Sequence, residues 1–332
     1  YFRNGLTYTA KKEGGRRFGY LPDNSIFAHT GSAVLPQRGT WELLSFTNSA
    51  LSDYLMLAQT PDRSWEVGNV AKLPCYSEVL SSGQLKSEAE EIAGTLLAER
   101  KHDFTSPHHV GPLFLTLLDM ECPLSSHNSH PHRELLDKLP VPKPEQELKP
   151  SNSLHDFGVA GARYHARLSQ SKEERARSID ASVFSQFGIS SDLQKEILQE
   201  IALRTIEDPR ERQEYNPEAI TEPSEDFPEM VKDLLLHLTI RVVHEDDDGI
   251  VPLSGVENEA DLLSRIESEF ERLFGDHASA RLAEVDQILG SRTADEEAYP
   301  NLREWLEDEL FDYHVSKFDR TPILWRLTTK RL

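Results

Sequence analysis

Cysteine is nearly missing from this chain, with two residues in 332. Two thiols cannot build the disulfide framework of a small secreted fold, so a reducing, cytoplasmic setting is expected. Long apolar runs are missing too. Nothing approaches the roughly 20 consecutive apolar residues of a membrane-spanning helix, so no membrane partner is expected. Residue 1 is Tyr, and no secretory leader follows it. The chain is therefore expected to be a piece of a longer protein. Basic residues are scarce: 36 Lys and Arg face 57 Asp and Glu, for a formal net charge of −21. Such a balance normally argues against nucleic acid, because phosphate repels carboxylate.

The distribution says more than the sum. Residues 1–75 hold eight Lys/Arg and six Asp/Glu and carry +2, whereas residues 76–332 carry −23. An acidic surface for a partner, a solubility device and life at high salt all produce such a bias. The acids are spread along the chain and are not gathered in one tail, which favours high salt. At molar salt the Debye length is about 3 Å and surface repulsion is largely screened. Acidity is then background, and DNA stays open as a partner of the one segment that escapes it.

The length suits roughly two domains of about 150 residues, enough for a real core. Leu6–Thr9 and Arg17–Leu21 are β-prone, with Lys11-Lys12-Glu13-Gly14-Gly15 as a hairpin loop between them. Ser25-Ile26-Phe27 predicts a third short strand. From Trp41 to Leu57 the apolar period becomes helical, and Arg63 to Gly68 reads as extended. Leu85 to Lys101 is an amphipathic helix. Residues 102–153, with scattered histidines and prolines, read as a linker or exposed loop. Beyond 154 the pattern is helical. A capping box at Ser191-Asp192-Leu193-Gln194 opens a helix to about Thr205, and an apolar helix runs from Met230 to Val243. A third helix spans Asn258 to Phe274, a fourth begins at Pro300, and Thr321 to Leu327 is extended. The expected class is α+β: a small mixed unit over 1–75, a helix and Pro/His-rich segment over 76–153, and a helical region over 154–332.

Few motifs point to chemistry. Phe157-Gly158-Val159-Ala160-Gly161 looks like a glycine-rich cofactor loop but lacks the preceding buried strand, so it predicts a turn. Asn216-Pro217 is similar to the start of the Asn-Pro-Pro-aromatic loop of amino-methyltransferases, but Glu218-Ala219 replace the second Pro and the aromatic. Cys122, His127, His130 and His132 do not have zinc-ligand spacing. Glu245 to Gly249 lacks the alternation of an EF-hand and reads as a solvated acidic loop. Glu42, Glu66, Asp312 and His314 lie beside aromatics, and sequence alone does not pair them into an acid–base couple. No catalytic, metal-binding or cofactor-binding residue is assigned.

The strongest signal is the basic and aromatic mixture of 1–75. Arg3, Lys11, Lys12, Arg16 and Arg17 lie on or beside one hairpin, interleaved with Tyr8, Phe18 and Tyr20; Arg38 and Arg63 follow. Such residues contact phosphates and base edges, and they also decorate plain solvated hairpins; composition alone leaves both readings open.

The order of segments in 1–75 carries a resemblance. Tyr1-Phe2-Arg3-Asn4-Gly5-Leu6-Thr7-Tyr8 precedes Tyr20-Leu21-Pro22 and Ile26-Phe27. The helical stretch with Leu43-Leu44 and Asn48-Ser49 follows, then Arg63-Ser64-Trp65-Glu66-Val67-Gly68-Asn69-Val70-Ala71-Lys72-Leu73-Pro74. This resembles the target-recognition region of large adenine-specific DNA methyltransferases, above all the PglX enzymes of BREX phage-defence systems. More loosely, it is similar to the recognition domains of restriction–modification enzymes. Ile179-Asp180 with Phe187-Gly188-Ile189, and His314, Lys317 and Pro322-Ile323-Leu324-Trp325 near the far end, look like later segments of that family. The acidic bias would fit a haloarchaeal member.

The resemblance implies the C-terminal part of an enzyme that flips an adenine and methylates N6 from S-adenosylmethionine, a cofactor that belongs to the intact enzyme and not to this chain. Its implied partners are double-stranded DNA, the N-terminal methyltransferase domain and other defence proteins. The implied DNA contacts are Arg3, Lys11, Lys12, Arg16, Arg17, Arg38 and Arg63. The alternative is a non-enzymatic DNA-specificity subunit or helical scaffold.

Overall fold

The computed structural model describes residues 3–10, 17–23, 25–26, 31–60, 64–124, 132–145, 148–204, 216–256, 258–292 and 298–327. The fold is α+β, a small antiparallel sheet near the N-terminus followed by helices. The chain divides into two compact units. One comprises Tyr1–Leu96, Pro131–Val141 and Leu168–Tyr215; the other comprises Leu97–His130, Pro142–Arg167 and Asn216–Leu332. Each unit gathers pieces of more than one of the three segments read from composition.

In the first unit, β1 (Gly5–Thr9) is the central strand between β2 (Phe18–Leu21) and β3 (Gly31–Val34). Both pairings are antiparallel, with Leu6 opposite Tyr20 on one side and Val34 on the other. The third strand is thus 31–34; Ser25 and Ile26 are irregular, and Phe27 lies outside the described residues. The expected single helix from 41 to 57 is two helices, α1 (Thr40–Thr47) and α2 (Ala50–Gln59). Side-chain chemistry explains the break. Asn48 Nδ2 donates to the Phe18 carbonyl at 3.0 Å, and its Oδ1 accepts from the Phe18 amide at 3.1 Å, which pins the end of α1 to β2. Ser49 then caps α2, accepting from Ser52 N at 3.4 Å. Val67 and Gly68, expected to be extended, belong to a short helix, α3 (Val67–Val70).

The helix predicted over 85–101 is α4 (Gly83–Arg100). The segment 102–153, expected to be loop, contains α5 (Leu113–Leu117), four of whose residues are buried, and α6 (Arg133–Leu136). Composition hid α5 because five apolar-rich residues are too short to show a helical period. The long α7 (Leu154–Gln186) precedes α8 (Ser191–Arg204). The N-terminal cap of α8 lies one position before the predicted box, with Ser190 Oγ accepting from Leu193 N at 3.4 Å. The first unit closes on a core of Leu6, Tyr8, Phe46, Met56, Trp65 and Val183 among others. Asp180 Oδ1 accepts from Ala50 N at 2.7 Å, capping the start of α2 from a different helix.

The second unit is helical. α9 (Phe227–Glu245) is buried along most of its length, as its apolar run predicts. It packs on α10 (Leu262–Phe274), capped by Asp261, and α11 (Ala278–Leu289) follows. Gly158 and Gly161 are not in a turn; they lie within α7. A β-carbon on Gly158 would meet the Phe227 ring at 2.6 Å, and one on Gly161 would meet Met230 Sδ at 3.1 Å. The two glycines let the start of α7 lie against α9. Asn216 precedes one turn of 3₁₀ helix at Pro217–Ala219. Pro300 opens α12 (Pro300–Glu304), which continues through a π-helical turn into α13 (Leu310–Lys317). Among the described residues, no helix is long and apolar enough to cross a membrane.

Candidate nucleic-acid interface

A cleft of about 460 Å³ opens at one side of the three-stranded unit. Its cations are Arg3, Arg38 and Lys86, and Glu42 is its carboxylate. Each is brought there by a different element. Arg3 lies two residues before β1, and its guanidinium donates to the Pro36 carbonyl at 3.1 Å, tying the strand start to the turn after β3. Arg38 lies in that turn, next to Gly39. Gly39 has φ +69, the left-handed conformation, and its carbonyl accepts from Leu43 N at 2.8 Å to open α1. A β-carbon there would come within 2.7 Å of the Leu80 carbonyl. Lys86 is on α4, which is fastened to α1 by Ser45 Oγ donating to the Leu85 carbonyl at 2.6 Å in a buried contact.

Aromatic rings wall the cleft. Tyr20 and Trp41 stack with centroids 4.4 Å apart and planes at 21°. Asn4 Nδ2 donates to Tyr20 Oη at 3.2 Å. Arg3, Arg38 and Lys86 are exposed, and Tyr20, Trp41 and Glu42 are half-buried. Lys86 is 3.8 Å from Glu90, a loose surface pair of small energetic weight. Arg38 makes no hydrogen bond or ion pair with the described residues.

The other predicted contacts behave differently. Lys11, Lys12, Arg16 and Arg63 lie outside the described residues. Arg17 is only 8% exposed. Its guanidinium lies 4.2 Å over the Trp65 ring and donates to the Ala10 carbonyl at 3.3 Å. It closes the edge of the core with a cation–π contact and is not a surface cation. Lys86 escaped sequence reading because it lies in the acid-rich part of the chain, and nothing in its local pattern marks it.

The remaining motifs resolve into structural roles. Cys122 Sγ accepts from Arg241 at 2.9 Å, and His132 lies 3.8 Å from Asp23. His127 and His130 lie outside the described residues. Among the described residues, no three His, Cys, Asp or Glu side chains are placed to hold a metal ion. Asp246, in the acidic loop, pairs with Arg265 at 2.6 Å and accepts from the amides of Asp248 and Gly249. Its pKa falls to about 2, chiefly through the Arg265 hydrogen bond. His314 is fully buried, and its Nε2 accepts from Ile323 N at 3.1 Å and Leu324 N at 3.3 Å. Lys317 pairs with Glu229 at 2.6 Å and Asp233 at 2.8 Å. His314 and Lys317 of the C-terminal stretch thus hold structure within the second unit.

No protein-family model matches the chain, and no curated protein matches it.

Proposed function

We propose that this chain is a DNA-recognition module, and that its sheet-bearing unit meets the duplex at the cleft of Arg3, Arg38 and Lys86. The observation that supports this reading is Arg38. It is an exposed guanidinium without an acidic partner among the described residues, in a chain with 21 excess negative charges. Arginine in such an acid-rich chain is readily paired, as Arg265 and Arg281 are. The cleft instead gathers three cations against one carboxylate, a local balance that attracts phosphate.

The wider proposal takes its support from the sequence resemblance. The module would direct an N6-adenine DNA methyltransferase of phage-defence type, with methyl transfer carried out by a separate catalytic domain. The segment Phe157 to Gly161, which looks like a glycine-rich cofactor loop, offers no cradle for such a group. Gly158 and Gly161 lie inside α7, where a β-carbon on Gly158 would collide with the Phe227 ring and one on Gly161 would press on Met230. No step through S-adenosylmethionine is assigned to these residues.

Selection from a randomised duplex pool, repeated over a KCl series that reaches molar salt, tests the reading. Enrichment of one short adenine-containing sequence is expected. Binding without enrichment, equal for the wild type and an Arg3→Gln/Arg38→Gln double variant, would sink it and favour a helical scaffold.

A further inference from the structure

We infer that the cleft is a phosphate clamp: Arg3, Arg38 and Lys86 hold one phosphate oxyanion between them and read no base. For its natural ligand, a backbone phosphodiester, this rests on the DNA reading above; the anion chemistry is testable without DNA.

A phosphate diester presents only acceptor oxygens and a negative charge. The two guanidiniums and the ammonium present only donors and positive charge. Arg3 is held by one hydrogen bond to the Pro36 carbonyl, which fixes its direction and leaves its other N–H groups free for a ligand. Arg38 keeps its whole fork unpaired among the described residues. Lys86 enters from α4 as a mobile point charge, 51% exposed at its side chain.

The aromatic wall points the same way. A ring that intercalates or stacks on a base must offer a face. Tyr20 and Trp41 are half-buried and each covers one face of the other, and Tyr20 Oη is tied to Asn4, so neither ring is free to insert between bases. The pair forms a rigid side to the cleft. A contact built this way sets the position of the chain on a strand, while sequence discrimination must come from other residues.

Two measurements on the full chain test the inference. Calorimetric titration with inorganic pyrophosphate at low salt should show binding by the wild type. Arg38→Gln should weaken it about tenfold, and Lys86→Gln should weaken it by a smaller factor. Wild-type affinity in both variants would overturn the clamp. All three cations are exposed, and thermal melts of the variants should match wild type. The second measurement is anisotropy with several unrelated duplexes over a KCl series. Arg38→Gln should lower affinity by the same factor on every duplex and reduce the salt slope by about 0.9. A loss confined to one duplex would make Arg38 a base reader: the clamp would fall and the DNA reading would stand. Pyrophosphate binding with no duplex binding would reverse that outcome, leaving an anion site and removing DNA as its ligand.

Discussion

Two arginines that look alike in the sequence do opposite work. Arg17 and Arg38 both sit beside aromatics in the basic segment, and charge alone assigns both to DNA. Burial separates them, because Arg17 lies over Trp65 whereas Arg38 is exposed. Arg17→Gln should lower unfolding free energy by about 1–2 kcal/mol, through the lost cation–π contact and stem packing. Urea denaturation checks this, and the duplex affinity of the folded fraction should not change. The sequence does not mark the difference. Trp65 lies 48 residues from Arg17, and the pairing exists only once β1 brings Ala10 to the amide of Trp65, 2.9 Å away.

Elements were legible where an apolar period ran for three turns or more, as in α4, α9 and α10. They were misread where one side chain overrode the period. Asn48 ends α1 by bonding both backbone groups of Phe18, a contact across 30 residues that no local window contains. The glycines of α7 failed for the opposite reason: they resemble a turn locally, but their purpose is the close approach of α9. Gly39 is a more demanding position, because it needs both the left-handed conformation and an empty β-carbon site. Gly39→Ala should cost about 1–3 kcal/mol by thermal or chemical melt and weaken pyrophosphate binding by displacing Arg38. The segment after α13 depends on His314. Its Nε2 accepts two amides, so Nδ1 carries the proton in the neutral ring. His314→Phe keeps the ring and removes the acceptor, and hydrogen exchange at Ile323 and Leu324 should speed up about tenfold. Burial lowers the His314 pKa, so the neutral anchor persists below the ordinary histidine range and fails once acid protonates Nε2. The same two amides should therefore lose protection in acid in the wild type.

At the scale of the whole molecule, two kinds of charge decide behaviour. The acids set the response to salt, and buried histidines set the response to pH. His102 and His109 are depressed to about 4 and His237 to about 3, each mainly by desolvation. A histidine buried in its neutral form stabilises the fold at and above its unfolded pKa, near 6.5. That contribution is lost as pH falls from there toward the folded values, because the unfolded chain takes up protons first. Stability should be flat above about pH 6.5 and then fall by up to about 1.4 kcal/mol per pH unit for each of the three. His237 is fully buried, and neither ring nitrogen has a partner among the described residues. His237→Phe should raise stability at pH 7 by about 1 kcal/mol and make the acid limb shallower by one proton. Chemical denaturation at a series of pH values reads both effects. Sequence alone placed His102 and His109 in the loop-like stretch 102–153, because α5 was itself invisible there, and placed His237 within the apolar helix from Met230 to Val243.

The cleft is walled by residues just before β1, at the end of β2, after β3, on α1 and on α4. None of these segments holds an anion alone, so the site exists only when the whole sheet has closed and both helices have docked. Occupancy and assembly are then a single equilibrium. An anion that enters the cleft selects the closed sheet from every partly open form, and each tenfold excess over its dissociation constant deepens that preference by about 1.4 kcal/mol. A chain resting on a polyanion would resist heat and proteases better than the same chain released from it, with no residue changed.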